Sequence, residues 1–134
     1  MVKKVDHLGI AVRDLEESVS RWRDYLGYEV IGAEDVPEQD VRVAILRQEG
    51  SPPVELLTPL SVGSAVDRFL NLRGEGIHHI CYEVENIKEA FETLRIGGVK
   101  FVGESPGPGA EVAETIFIHP KSFNGVLIEL KQKA

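Results

Sequence analysis

The sequence has one cysteine, no run of basic residues and no apolar stretch of transmembrane length, and each lack argues against a class of function. A lone cysteine, Cys81, cannot close an intramolecular disulfide, which suits a reducing compartment. A formal net charge of −7 without any basic cluster argues against a nucleic-acid partner. An anionic small molecule stays open, because a metal ion or a few local cations can override the overall field. The opening "MVKK" is not followed by the apolar core of a signal peptide, so a cytoplasmic location and no membrane partner are expected. What is present is ordinary for a folded domain. The 134 residues are 43% apolar and 28% charged, enough for one domain that buries roughly two-thirds of its unfolded surface.

Within that length the chain is written twice. "VDHLGIAVRDLEESVSRW" (5 to 22) matches "IHHICYEVENIKEAFETL" (77 to 94) at a constant shift of 72 positions. Each copy starts as an aliphatic strand and meets a helix-capping residue, Asp14 or Asn86. A glutamate follows three positions later, as in a capping box. Leu15, Val19, Trp22 and Leu26 form one apolar stripe at helical spacing, and Ile87, Phe91 and Leu94 form its counterpart. Gly27 and the pair Gly97 and Gly98 end the two helices. Three strand-like stretches then follow in each half, near 28 to 33, 41 to 48 and 54 to 58, and near 99 to 103, 112 to 118 and 126 to 131. "GESPGPG" (103 to 109) reads as a loop and a candidate mobile flap. "SAVDRFLNLRG" (64 to 74) reads as a connecting helix. The expected fold is α+β, a single domain of two tandem βαβββ modules. Module 1 covers about 3 to 60, the linking helix about 64 to 74, and module 2 about 77 to 132.

The repeat also carries chemistry. Adjacent strand residues point to opposite faces, so His78 and His79 cannot serve one site from the same strand. His79 is in register with His7, which selects it and turns His78 away with Ile80 and Tyr82. The last strands of the halves repeat as well: "VELL" (54 to 57) parallels "IELK" (128 to 131) and sets Glu55 against Glu129. Glu129 interrupts the apolar "GVLIEL", where an ionised carboxylate is costly unless paired or bound to a metal. Two imidazoles and two carboxylates make a donor set for a divalent ion such as Co, Ni, Mn, Zn or Fe. The ordinary alternatives are a hydrogen-bonded structural histidine and a solvated edge glutamate; the duplicated arrangement outweighs them. His119 reads as a turn cap, Cys81 as a small buried filler, Trp22 and Phe91 as core, and Arg42 and Lys121 as solvated surface cations.

With its βαβββ repeat and paired His and Glu, the chain resembles the vicinal oxygen chelate superfamily. Within it the likeness is to the methylmalonyl-CoA epimerase family, over essentially the whole length. The matching strings are "DHLGIAV", "VPEQDVRVAIL", "VELLTPL", "GEGIHHICYEVENI" and "HPKSFNGVLIEL". The resemblance implies two curved sheets enclosing a metal site, with His7, Glu55, His79 and Glu129 as metal ligands. It also implies an acyl-CoA substrate, an isomerase that moves the α-proton of a malonyl thioester, and a homodimer. In some members a glutamate stands where this chain has Val43, which cannot transfer a proton. That leaves Glu129 and Glu55 as the catalytic carboxylates the repeat supplies, with Glu129 preferred for its more apolar strand. The alternatives are a glyoxalase I-type lyase and a non-catalytic small-molecule-binding protein of the same fold.

Overall fold

In the computed structural model, which describes residues 1–134, each half of the chain runs strand, helix, three strands. The first half comprises β1 (Val2–Ala11), α1 (Leu15–Leu26), β2 (Glu29–Val36), β3 (Val41–Arg47) and β4 (Val54–Pro59). After α2 (Ala65–Arg73) come β5 (Gly76–Val84), α3 (Ile87–Ile96), β6 (Phe101–Pro108), β7 (Glu114–Ile118) and β8 (Ile128–Gln132). This is the α+β arrangement of two βαβββ modules expected from the repeat. By internal contacts the chain divides into two compact units, residues 7–78 and residues 1–6 together with 79–134.

The caps work alike in both halves. Asp14 Oδ1 accepts the backbone N–H of Glu17, and Asn86 Oδ1 that of Glu89, both at 3.0 Å. Each satisfies a donor that the first helical turn leaves without a partner. Gly27 closes α1 in the left-handed region at φ 77°, donating its N–H to the carbonyl of Arg23. In the second half it is Gly98, at φ 94°, that takes the left-handed turn.

In residues 7–78 the strand order is β2-β3-β4-β1, with β1 parallel to β4 and the remaining pairs antiparallel. Helix α1 lies on one face of these strands. Val12, Ala44, Leu46, Val54 and Leu56 are buried there, and Leu15, Val19, Trp22 and Tyr28 pack against them. Leu46 and Leu56 are fully buried, and each contributes about 1.5–3 kcal/mol by leaving water. Leu26 departs from its expected stripe: it is 53% exposed. It is the last residue of α1, followed by the left-handed Gly27 that turns the chain toward β2.

The second unit mirrors this plan, with order β5-β8-β7-β6 and β5 parallel to β8. Val84, Ile87, Ala90, Phe91, Ile116, Ile118 and Leu130 form the core between α3 and one face of the strands. Two expectations need correcting here. The segment 103 to 109 is not a loop, since β6 runs through Pro108. Its pairing with β7 skips between Val102 and Gly107, and β6 lies at the end of the unit's strand order. At an edge, a proline without an N–H removes no ladder bond that the sheet needs. The strand expected from 112 begins instead at Glu114, because Ala110–Val112 forms a tight turn with Glu111 and Val112 at φ 61° and 53°.

Candidate metal centre

Because a helix covers one face of each set of strands, every inward side chain of the other face is available for chemistry. In residues 7–78, register pairs Gly9 with Glu55 and Ala11 with Leu57, while β3 sets Ile45 against Glu55 and Val43 against Leu57. His7, Glu55, Val43 and Ile45 therefore share the face turned away from α1. His7 Nδ1 lies 3.2 Å from Glu55 Oε2, with the two residues 2% and 3% exposed. One strand further out, Glu34 is the register partner of Val43, so it points to the same side. Its neighbour Asp35 points the other way and pairs with Arg42, Nε to Oδ1 at 2.7 Å.

The second unit repeats the scheme. Cys81 and Phe117 are the register partners of Glu129, and Glu83 and Thr115 those of Lys131. His79, Cys81, Glu129 and Lys131 thus share the face away from α3. His79 Nε2 is 3.1 Å from Glu129 Oε1, both residues are 4% exposed, and the Phe117 ring meets the imidazole edge-on at 5.3 Å. His78 belongs to the other unit's side of the chain and sets its ring against Phe69 at 5.0 Å.

Each unit thus holds one buried imidazole–carboxylate pair on the face its helix leaves free. A buried carboxylate costs several kcal/mol unless paired or hydrogen-bonded, and no buried side-chain nitrogen or oxygen in the chain lacks a partner. The donor chemistry fits a divalent ion: borderline nitrogen and hard oxygen atoms, presented in duplicate from rigid strands. The tight turn that includes Glu111 bears on the same face.

That face also carries a group that the sequence reading passed over. Lys131 is 1% exposed, and its Nζ donates to Glu111 Oε1 at 2.7 Å and Asp6 Oδ2 at 3.2 Å. Lys133 reaches Asp6 Oδ1 at 3.4 Å as well. A lysine two residues after Glu129 in an alternating strand was the available signal, since i and i+2 share a face. The remaining candidates have local duties. The Nδ1 of His119 accepts the N–H of Lys121 and caps the turn Pro120–Ser122. Lys121 is exposed, Cys81 is fully buried, and the hydrogen bonds from Arg42 hold the Asp35 carboxyl below the usual carboxylate range.

Residues 6–117 match the model of the glyoxalase/bleomycin resistance protein/dioxygenase superfamily. The chain belongs to this superfamily. Among its relatives, the ethylmalonyl-CoA/methylmalonyl-CoA epimerase of Cereibacter sphaeroides is 41% identical over 134 residues, covering 98% of this chain and 99% of the relative. The crystal structure of methylmalonyl-CoA epimerase from Mycobacterium tuberculosis superposes with a TM-score of 0.95 at 36% identity, covering 99% and 89% of the two chains. A methylmalonyl-CoA epimerase solved with methylmalonyl-CoA and ammonium also gives 0.95, at 34% identity, over 100% and 96%. This member of the superfamily is therefore similar to epimerases from end to end, its buried His–Glu pairs included within the matched length.

Proposed function

We propose that this protein is a divalent-metal-dependent epimerase that interconverts the two configurations of methylmalonyl-CoA at the α-carbon. The observation that carries the reading is the duplicated pair, His7 with Glu55 and His79 with Glu129, each buried on a strand face that its own helix does not cover. These four residues would hold the ion, with Co, Ni, Mn, Zn and Fe as the candidates. When bound, the ion supplies a Lewis acid against the negative charge that develops as the α-proton leaves.

The rest of the chemistry falls to the chain. A carboxylate is far too weak a base for an ordinary α-proton, so the site must hold the acyl group in one orientation and keep water away. The strand positions of His7, Glu55, His79 and Glu129 are suited to that, because all four are buried and lie on paired strands. Glu129 is the proton-transferring carboxylate: one of its oxygens takes the α-proton or returns one. Flanked along β8 by Ile128 and Leu130, it works in an apolar strand. Glu55 is its counterpart in the first half. The relative named for both ethylmalonyl-CoA and methylmalonyl-CoA supports a short branched malonyl thioester as the substrate class.

We place the enzyme in the cytoplasm as a homodimer. The free, buried Cys81 supports a reducing compartment, and the exposed Tyr25, Leu26, Val30 and Ile31 at the end of α1 and the start of β2 support burial against a second copy. A net charge of −7 argues against nucleic acid, and no helix is long and apolar enough to cross a membrane.

Incubation with methylmalonyl-CoA in deuterated water tests the activity. Deuterium enters the α-position and a chelator stops it; conversion of a hemithioacetal without any α-exchange would move the protein to the glyoxalase I class.

A further inference from the structure

Lys131 is a buried cation that neither the ion nor the proton transfer uses. It is 1% exposed and stands two residues beyond Glu129 on β8, on the same face and roughly 7 Å away between α-carbons. Its Nζ donates to Asp6 Oδ2 at 3.2 Å and to Glu111 Oε1 at 2.7 Å. Stability alone does not call for a lysine here, because a well-packed apolar side chain is often as stable as a buried ion pair. The two carboxylates differ in how firmly they are held. The Asp6 side chain is 7% exposed and also faces Lys133 at 3.4 Å. The Glu111 side chain is 44% exposed, so it can turn to solvent without stranding a buried charge.

The turn that carries Glu111 is strained. Glu111 and Val112 sit at φ 61° and 53°, in the left-handed region, where a β-branched valine is an outlier. Val112 is 85% exposed, so packing of its own side chain does not hold it there. The Gly109 N–H closes the turn on the Ala113 carbonyl at 3.0 Å. Thr115 fills the space a Cβ at Gly109 would need, and Thr115 is the register partner of Lys131. The turn therefore lies against the face that carries Lys131 and Glu129, and Glu111 is the side chain it sends to Lys131. Strain of this kind persists only where the surroundings hold it. Here the bond from Lys131 to Glu111 does so.

We propose that Lys131 is a specificity-determining residue that receives the carboxylate of a malonyl-type acyl group, with Glu111 holding its place until substrate arrives; the inference rests on the epimerase reading. The substrate carboxylate has the charge and shape of the Glu111 carboxylate. It takes over the Lys131 ammonium from Glu111, anion for anion, so the buried cation keeps a charge-assisted partner throughout. Glu111 moves to solvent, and the turn at 110–112 relaxes. A thioester whose acyl chain ends in a methyl group brings no anion and leaves the Glu111 bond closed. The exchange thus selects carboxylated acyl thioesters over plain ones that share the same coenzyme A portion.

The experiment titrates malonyl-CoA and propionyl-CoA, which differ by one carboxylate, into the metal-loaded protein by calorimetry. Amide hydrogen exchange over residues 109–113 is followed by mass spectrometry on the same samples. In wild type, malonyl-CoA is expected to speed exchange in that segment, and propionyl-CoA to leave it unchanged. The decisive variant is at the surface residue Glu111, because a change at buried Lys131 would strand Asp6. Glu111→Gln removes the competing anion, so it should bind malonyl-CoA several-fold more tightly than wild type and propionyl-CoA as before. Its 109–113 amides should exchange fast without any ligand. Unchanged or weaker malonyl-CoA binding by Glu111→Gln overturns the inference. So does an equal shift for both thioesters, the mark of a merely structural turn. If wild type still exchanges the α-proton of methylmalonyl-CoA, either result leaves the epimerase reading standing. Wild type that binds neither thioester and exchanges no α-proton overturns that reading, and this inference with it.

Discussion

At the scale of single residues, the adjacent histidines make the sharpest contrast. His79 and His78 differ by one position, and that position decides whether the imidazole meets a buried carboxylate or an aromatic ring. His79→Ala is expected to lose most bound metal in elemental analysis of the purified protein, while His78→Ala retains it; equal content in the two variants would sink the ligand assignment. Glu129 and Glu55 separate in a similar way. Glu129→Gln should lose α-proton exchange by roughly a hundredfold or more, the usual scale for a general base, yet keep part of its metal through the amide oxygen. Glu55→Gln should be milder, since Glu129 is the preferred proton-transferring carboxylate and an amide oxygen at position 55 can still coordinate the ion. Near wild-type exchange by a metal-loaded Glu129→Gln would place the base elsewhere.

At the scale of elements, the same local rules serve both halves until proline and glycine intervene. The expectation of a flap at 103 to 109 came from composition alone, and composition does not say whether a segment lies at a sheet edge. Beyond it, Gly109 shows how closely the turn before β7 is packed. A Cβ there would stand 2.6 Å from Thr115 Cγ2 and 2.9 Å from its Oγ1, although φ is −138° and needs no glycine. Gly109→Ala should therefore destabilise by about 1–3 kcal/mol through overpacking. Adding Thr115→Ala should recover part of the loss, a non-additivity readable from denaturant midpoints in a double-mutant cycle. Purely additive effects would mean that the clash is absorbed elsewhere.

At the scale of the whole molecule, the homodimer is expected to give twice the chain mass of 14.8 kDa by light scattering at micromolar concentration, and a monomeric mass would rule it out. The duplicated βαβββ plan, the Asp14 and Asn86 caps, and the preference for His79 over His78 are all legible in the amino-acid sequence. Those features are local or periodic: a cap acts over three residues, a stripe over a helical turn, and a strand face over alternate positions. Tertiary structure decided the rest. Lys131 meets Asp6 across 125 positions of chain, and Glu34 stands beside Val43 only because β2 and β3 pair in that register. Periodicity identifies which residues share a face of one strand, but which strands lie side by side depends on long-range packing that no local pattern encodes.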